Sequence, residues 1–174
     1  MKVFLGGTCA GSTWRDKLIP LLKCDYYNPV TKDWNEEARR MEELAKASSR
    51  YHLYVITNRQ HGYYTIAELV HAAMTAPYSV IFAVIAEDDS QVLFTPHQLK
   101  SLEQIEKMVG GLGVKICHSL EEIAEYLNTE HLAKYQLCIR FDGVLYRSEP
   151  MPIEEVEEKK RDSYLNCWVE RVKE

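Results

Sequence analysis

Short apolar runs alternate along most of the chain with longer stretches in which apolar residues recur every three or four positions. The runs Val3–Leu5, Cys24–Tyr27, Tyr51–Ile56, Val80–Ile85 and Val114–Cys117 have the length and the β-branched or aromatic content of buried strands. The intervening periodicity predicts helices over Thr13–Leu22, Trp34–Ser48, Thr65–Ala76, Pro96–Val109 and Leu120–Leu127. Pro20 implies a kink or an early end in the first of them, because its ring removes a donor and clashes with the preceding turn.

Strands that alternate with helices predict a parallel sheet, since a parallel pair needs a long crossover. Five such units predict an α/β chain with a flavodoxin-like, doubly wound five-stranded parallel sheet. Three helix starts fit an S/T/D-x-x-E capping box: Asp33 with Glu36, Thr65 with Glu68, and Ser119 with Glu122. Gly110-Gly111 is expected to close the fourth helix.

In this architecture ligands bind outside the carboxyl ends of the strands, so the residues after each strand are the candidates. They are Gly6-Gly7-Thr8, Asn28-Pro29, Thr57-Asn58, Glu87-Asp88-Asp89 and His118-Ser119. Glu68 starts the helix after the third strand on the same edge.

Beyond Asn128 the periodicity changes to two. Lys134–Phe141 and Val144–Ser148 flank Asp142-Gly143, a strong two-residue hairpin signal. Pro150 and Pro152 follow, and then a long helix is expected over Ile153–Val172, with Ile153, Val156, Tyr164, Trp168 and Val172 on one stripe and Glu154, Glu155, Glu157 and Glu158 at its start. The expected domains are therefore 1–127 and a C-terminal extension, 128–174, of hairpin plus helix. A lone hairpin is marginal, so it should pair with a sheet edge or another subunit, with the Trp168 stripe packed on the domain or across a dimer.

The 174 residues, 46% of them hydrophobic, suffice for one core with an appended element. A net charge of -5 is the wrong sign for a phosphate-backbone footprint, so a small molecule is favoured over a nucleic acid polymer. Cys9, Cys24, Cys117, Cys138 and Cys167 are odd in number and scattered, and with histidines 52, 61, 71, 97, 118 and 131 they form no metal spacing. No metal and no cofactor are expected, and the thiols read as reduced, as in a cytoplasmic protein. The apolar start Val3-Phe4-Leu5 is too short for a signal peptide, and no run approaches membrane-spanning length.

The candidate chemistry centres on Glu68, for which two readings compete. With Thr65 it completes a capping box; at the strand-end crevice it is a carboxylate facing a ligand. The loop Gly6-Gly7-Thr8-Cys9-Ala10-Gly11-Ser12 leads into a helix whose free N–H groups can cradle a phosphate or a sugar hydroxyl, though tight-turn glycines explain Gly6 and Gly7 equally well. Trp14 can stack on a base or pack in the core with Leu18 and Leu21; Asn28 can bond sugar hydroxyls or form a turn. Asp33 is most economically a cap, Trp34 packs over the crevice rim, and Arg15 either holds a phosphate or, more simply, is exposed.

Val3-Phe4-Leu5-Gly6-Gly7-Thr8, Gly11-Ser12-Thr13-Trp14-Arg15, Tyr27-Asn28-Pro29-Val30 and Gly62-Tyr63-x-x-Ile66-Ala67-Glu68 together resemble the nucleoside 2-deoxyribosyltransferase-like family. The likeness continues through Thr95–Leu102 to about residue 127. It implies a domain that breaks the bond between C1′ of a sugar and a base nitrogen, with Glu68 as the attacking carboxylate and a glycosyl-enzyme resolved by a second base or by water. The substrate-binding residues would be Gly6, Gly7, Thr8, Ser12, Trp14, Asn28 and Gly62. The departing base needs a proton, yet Gly62 stands where the better-known transferases have an aspartate, six residues before the glutamate. Asp88 or Asp89 can supply that acid, and Tyr63 or Tyr64 a hydrogen bond. Such enzymes are typically oligomers, so a homo-oligomer is expected. An NAD glycohydrolase and a non-catalytic nucleotide-binding module are the alternatives.

Overall fold

The computed structural model describes residues 2–9, 11–86, 88, 92–129 and 134–172. Ala10, Glu87, Asp89, Ser90 and His131 lie outside the described residues. The chain divides into two compact units, Met1–Asn128 and Thr129–Glu174.

The first unit is a five-stranded sheet in the order β2-β1-β3-β4-β5, every pair parallel. Its strands are β1 (Lys2–Gly7), β2 (Asp25–Tyr27), β3 (Tyr51–Thr57), β4 (Val80–Ile85) and β5 (Lys115–Cys117). Five helices connect and follow them: α1 (Trp14–Leu18), α2 (Glu36–Ser48), α3 (Tyr64–Thr75), α4 (Pro96–Leu112) and α5 (Leu120–Thr129). This is the flavodoxin-like doubly wound order. Successive residues of β3 point to opposite faces. Tyr51, Leu53 and Val55 meet Trp14 and Leu18 of α1 and Ile123 and Leu127 of α5 on one side. Tyr54 and Ile56 meet Leu69 of α3 and Val109 of α4 on the other. Both faces are covered, which is why the strands read as continuous apolar runs.

Several boundaries differ from expectation, each for a local reason. Pro20 ends α1 at Leu18 and leaves a 3-10 turn over Ile19–Leu21. Helix α2 is capped by Asn35, whose side chain accepts from the Ala38 N–H at 2.9 Å, and not by Asp33. Helix α4 runs through Gly110-Gly111 and stops at Gly113, which takes the left-handed conformation with φ 109°. Ser119 accepts from the Glu122 N–H as expected, but the Glu122 carboxylate reaches back to the His118 N–H.

The second unit forms a three-stranded antiparallel sheet in the order β7-β6-β8. Strands β6 (Tyr135–Phe141) and β7 (Val144–Arg147) are the expected hairpin, with Asp142 at φ 50° and Gly143 at φ 77°, the positive pair of a type I′ turn. The long helix is not present. Helix α6 covers only Ile153–Arg161, and after a turn the chain returns as β8 (Cys167–Arg171), where Val169 pairs with Leu137 and Trp168 with Cys138. The apolar positions that suggested a helical stripe belong in fact to two elements. The hairpin thus finds its third strand within its own unit, and Val156 and Val169 are buried there with Tyr135.

Gly7 is the tightest point of the first unit. It has φ 122°, and a Cβ there would stand 2.1 Å from the Val55 carbonyl oxygen. Gly7→Ala is expected to cost more than about 2 kcal/mol, through strain and the clash with β3. Gly111→Ala, in open space within α4, is expected to gain about 0.5–1 kcal/mol. Urea unfolding of the two variants checks both signs.

Candidate active site

Strand β1 lies between β2 and β3, so the chain leaves its carboxyl end toward one face and returns from β2 across the other. A crevice opens at such a switch point. A cleft of about 270 Å³ occupies it. Gly6 and Gly7 form its base, Pro29–Thr31 after β2 one wall, Trp34 and Glu42 a second, and Tyr64, Thr65 and Glu68 of α3 a third. A Cβ on Gly6 would meet the buried Tyr54 ring at 2.9 Å, so the close packing of β1 on the core requires glycine there.

Glu68 does not cap its helix. Helix α3 begins at Tyr64 with Tyr63 in the capping position, and no side chain closes a capping bond there. The Thr65 box is therefore absent, and the Glu68 carboxylate turns to Lys46 instead. Lys46 Nζ donates both to Glu68 Oε1 and, at 2.5 Å, to Glu42 Oε1. The three side chains are 17%, 22% and 16% exposed for Glu68, Lys46 and Glu42. Bound to one ammonium, the two carboxylates bring oxygens to within about 5 Å of each other.

The sequence of α2 explains how charged groups come to lie under the helix. Its inward stripe is Ala38, Glu42, Ala45, Lys46 and Ser49, spaced by three and four, and the two alanines let the helix approach β1. Lys46 stands 5.0 Å over the Phe4 ring. Burial opposes its charge, but the hydrogen bonds and charges of Glu42 and Glu68 outweigh that and hold its pKa above the ordinary lysine value. Burial first, and then the charges of Glu68 and Glu42, push the Tyr54 phenol pKa far up, so it stays protonated. His52, with a ring nitrogen 2.9 Å from the Lys46 carbonyl, has its pKa lowered mainly by burial and is uncharged at neutral pH.

The remaining candidates divide by what already engages them. Trp14 is fully buried and donates its indole N–H to the Thr8 carbonyl at 3.0 Å, so it is a core residue and has no face for a base. Arg15 is only 3% exposed, contrary to its reading as a surface arginine. Its guanidinium donates to the carbonyls of Leu5, Gly7 and Thr8 and thus ties the glycine loop to the end of β1. The Thr8 hydroxyl is similarly occupied, donating to Gln60 Oε1 at 2.6 Å and accepting from the Thr57 N–H at 2.9 Å. Asn58 donates its amide to the carbonyls of Ala86 and Val92.

Asp88 accepts from the Ser12 hydroxyl, from the Thr13 N–H at 3.0 Å and from the Thr13 hydroxyl at 2.9 Å. Desolvation opposes its ionisation, but these hydrogen bonds outweigh it and lower its pKa. It is thus an ionised anchor for the N-terminus of α1. It does not line the Glu68 cleft, and it takes the N–H that a bound phosphate would use. Asn28 Oδ1 accepts from the Val30 N–H at 3.1 Å, an Asx turn that shapes the wall and lines a neighbouring groove. Gly62 lies in an exposed loop, where Gln60 donates to its carbonyl. Tyr63 is 84% exposed and outside the cleft lining; its neighbour Tyr64, 75% exposed, is within it.

Glu42 and Lys46 were missed by sequence reasoning because Glu-x-x-x-Lys on a helix ordinarily marks a solvated pair. The sequence also pointed elsewhere: Met41 and Leu44, the large apolar residues of α2, are both exposed, and the helix turns Ala45 with Glu42 and Lys46 inward instead.

A family model described as nucleoside 2-deoxyribosyltransferase like matches residues 1–91, just over half the chain. The chain belongs to that family. Membership places its general chemistry in glycosyl transfer at nucleosides, with a small-molecule nucleoside as substrate. The match contains β1 through β4, the glycine loop and Glu68, together with Glu42 and Lys46. No curated protein and no solved structure matches the chain. Among the described residues no helix is long and apolar enough to cross a membrane, and no group of three or more His, Cys, Asp or Glu side chains could hold a metal ion.

The Asp88 anchor has a pH signature. Because its folded pKa is depressed, its stabilisation is present above the ordinary aspartate range near ~3.9 and is lost as the pH falls through the folded value. Asp88→Asn is expected to lower the melting temperature by ~2–4 °C at pH 7 and by progressively less below about pH 4, as thermal unfolding at pH 7 and pH 3 would record.

Proposed function

We propose that this protein cleaves the N-glycosidic bond of an unphosphorylated nucleoside through a glycosyl-enzyme on Glu68, with Glu42 as the acid and base. The observation that carries this reading is that two half-buried carboxylates from different helices line the switch-point cleft and share the Lys46 ammonium. A carboxylate pair about 5–5.5 Å apart is the spacing of retaining glycosidases, in which one member attacks C1′ and the other handles the proton.

In the first step a Glu68 oxygen forms a bond to C1′ as the bond from C1′ to the base nitrogen breaks. Protonated Glu42 gives its proton to the departing base. In the second step water or another base attacks C1′, Glu42 takes its proton, and Glu68 leaves as a carboxylate. Glu42 thus fills the role that an aspartate at Gly62 would have supplied. Trp34, 62% exposed, and Tyr64 offer aromatic faces on the rim for the flat base.

The charge of the cleft supports a substrate without a phosphate. Among the described residues that line it, the sole cation is Arg15, whose donors are engaged by backbone carbonyls, while the Lys46 ammonium nearby is taken up by Glu42 and Glu68. The Thr13 N–H at the start of α1 is held by Asp88. A 5′-phosphate, or the pyrophosphate of NAD, would meet the Glu68 carboxylate, with the Arg15 donors already engaged.

Chromatography of free base from nucleosides, their 5′-monophosphates and NAD tests the reading. Release from nucleosides at least about tenfold faster than from the monophosphates is expected. Glu68→Gln is expected to reduce release at least about a thousandfold, and Glu42→Gln by 10²–10⁴-fold, on this scale of acid catalysis. Undiminished release by Glu68→Gln would overturn the assignment of the nucleophile.

A further inference from the structure

Lys46 belongs to neither half of a two-carboxylate mechanism, yet its ammonium is bound to both carboxylates at once. Retaining cleavage moves charge between them. Before attack Glu68 is ionised and Glu42 protonated; afterwards Glu68 is a neutral ester and Glu42, having given up its proton, is the anion. A half-buried charge left without a partner is costly, so a fixed ion pair on Glu68 would hinder the reaction by an amount that grows with the desolvation of the site. An ammonium within reach of both oxygens avoids this.

We infer that Lys46 is a positioning residue that serves as a transferable counter-ion, paired with Glu68 at the start of each turnover and handed to Glu42 as the glycosyl-enzyme forms. The inference rests on the proposed roles of Glu68 and Glu42. The step conserves charge: the carboxylate on Glu68 becomes an ester, the Glu42 proton leaves on the base, and the ammonium changes partner without changing its own proton. In the second half-reaction the attacking water or base gives its proton to Glu42, Glu68 is restored as a carboxylate, and Lys46 returns to it.

The surroundings suit this role. Lys46 has no other charged partner of its own on α2 than Glu42, and from α3 it meets Glu68. From β3 the nearby titratable groups are His52, on the Lys46 carbonyl, and Tyr54, a phenol held protonated; from α3 Tyr64 and from α1 Arg15 interact with members of the same group. Phe4 of β1 lies under the ammonium as an uncharged aromatic face that favours the cation whichever carboxylate is ionised. None of these offers a second anion, so the ammonium alternates between the two glutamates alone.

The Lys46 ammonium favours the ionised form of any carboxylate it touches, and an uncharged side chain in its place removes that preference. In Lys46→Met the bell-shaped dependence of kcat/KM on pH is therefore expected to move up by about one pH unit, with single-turnover base release at pH 7 slowed about a hundredfold and nucleoside affinity little changed. Lys46→Arg keeps the charge and is expected to keep the wild-type pH optimum. Should Lys46→Met not fold, Lys46→Gln, which retains a hydrogen-bond donor of similar reach, is expected to show the same upward shift. A merely structural role would lower the rate of these variants without moving the optimum. Wild-type turnover combined with an unshifted optimum in the uncharged variants would overturn the counter-ion role alone, whereas a wild-type protein that releases no base from any nucleoside would overturn the glycosyl-enzyme reading and this inference with it.

Discussion

Strand β1 runs between β2 and β3, and this one topological constraint organises the molecule. The chain leaves β1, returns through α1, runs parallel to β1 along β2, and crosses β1 again through α2 on the face where α3 and α4 pack. Two consecutive crossovers therefore diverge above the end of β1, and the cleft lies between them. Gly6 and Gly7 deepen it, and Gly7 lets the end of β1 press against the Val55 backbone of β3. Arg15 then secures the rim from within by binding the carbonyls of Leu5, Gly7 and Thr8 in the same stretch.

The electrostatics of the cleft follow from which helix crosses where. Helix α2 has to pass over β1, and it does so with alanines and a Glu42–Lys46 pair where large apolar residues would normally sit. That polar stripe is opposite the first turns of α3, so Glu68 meets an ammonium instead of closing its own helix. Neutralisation makes the burial of Glu68 tolerable. The Glu68 carboxylate at the cleft gives it an affinity for a developing positive charge such as that on C1′ in an oxocarbenium-like transition state.

Much of this was legible in the sequence. The five strands of the first unit, their helices and the crevice edge follow from alternating apolar runs, and the position of Glu68 follows from its place after β3. What misled was chemistry that reads the same locally in two contexts. Thr65-x-x-Glu68 has the letters of a capping box, but α3 starts one residue earlier and the carboxylate finds a stronger partner on another helix. Trp14 and Arg15 follow a glycine loop and suggest ligand contacts; both are spent on the loop's own carbonyls. Asp88 reads as a free acid after β4, but pairs with Ser12 and Thr13 across 76 and 75 positions of sequence, a distance that no local pattern encodes. In the C-terminal unit, apolar residues of α6 and β8 fell by chance on a helical period, and the turn between them was the weaker signal.

The central claim is that Glu68 becomes covalently attached to the sugar. Mass spectrometry of the protein quenched in acid during turnover of a deoxynucleoside tests it most directly. The peptide that contains Glu68 should gain the mass of one deoxyribosyl group, and the gain should disappear in Glu68→Gln. Base release with no adduct on that peptide, or an adduct carried by another side chain, would contradict the account.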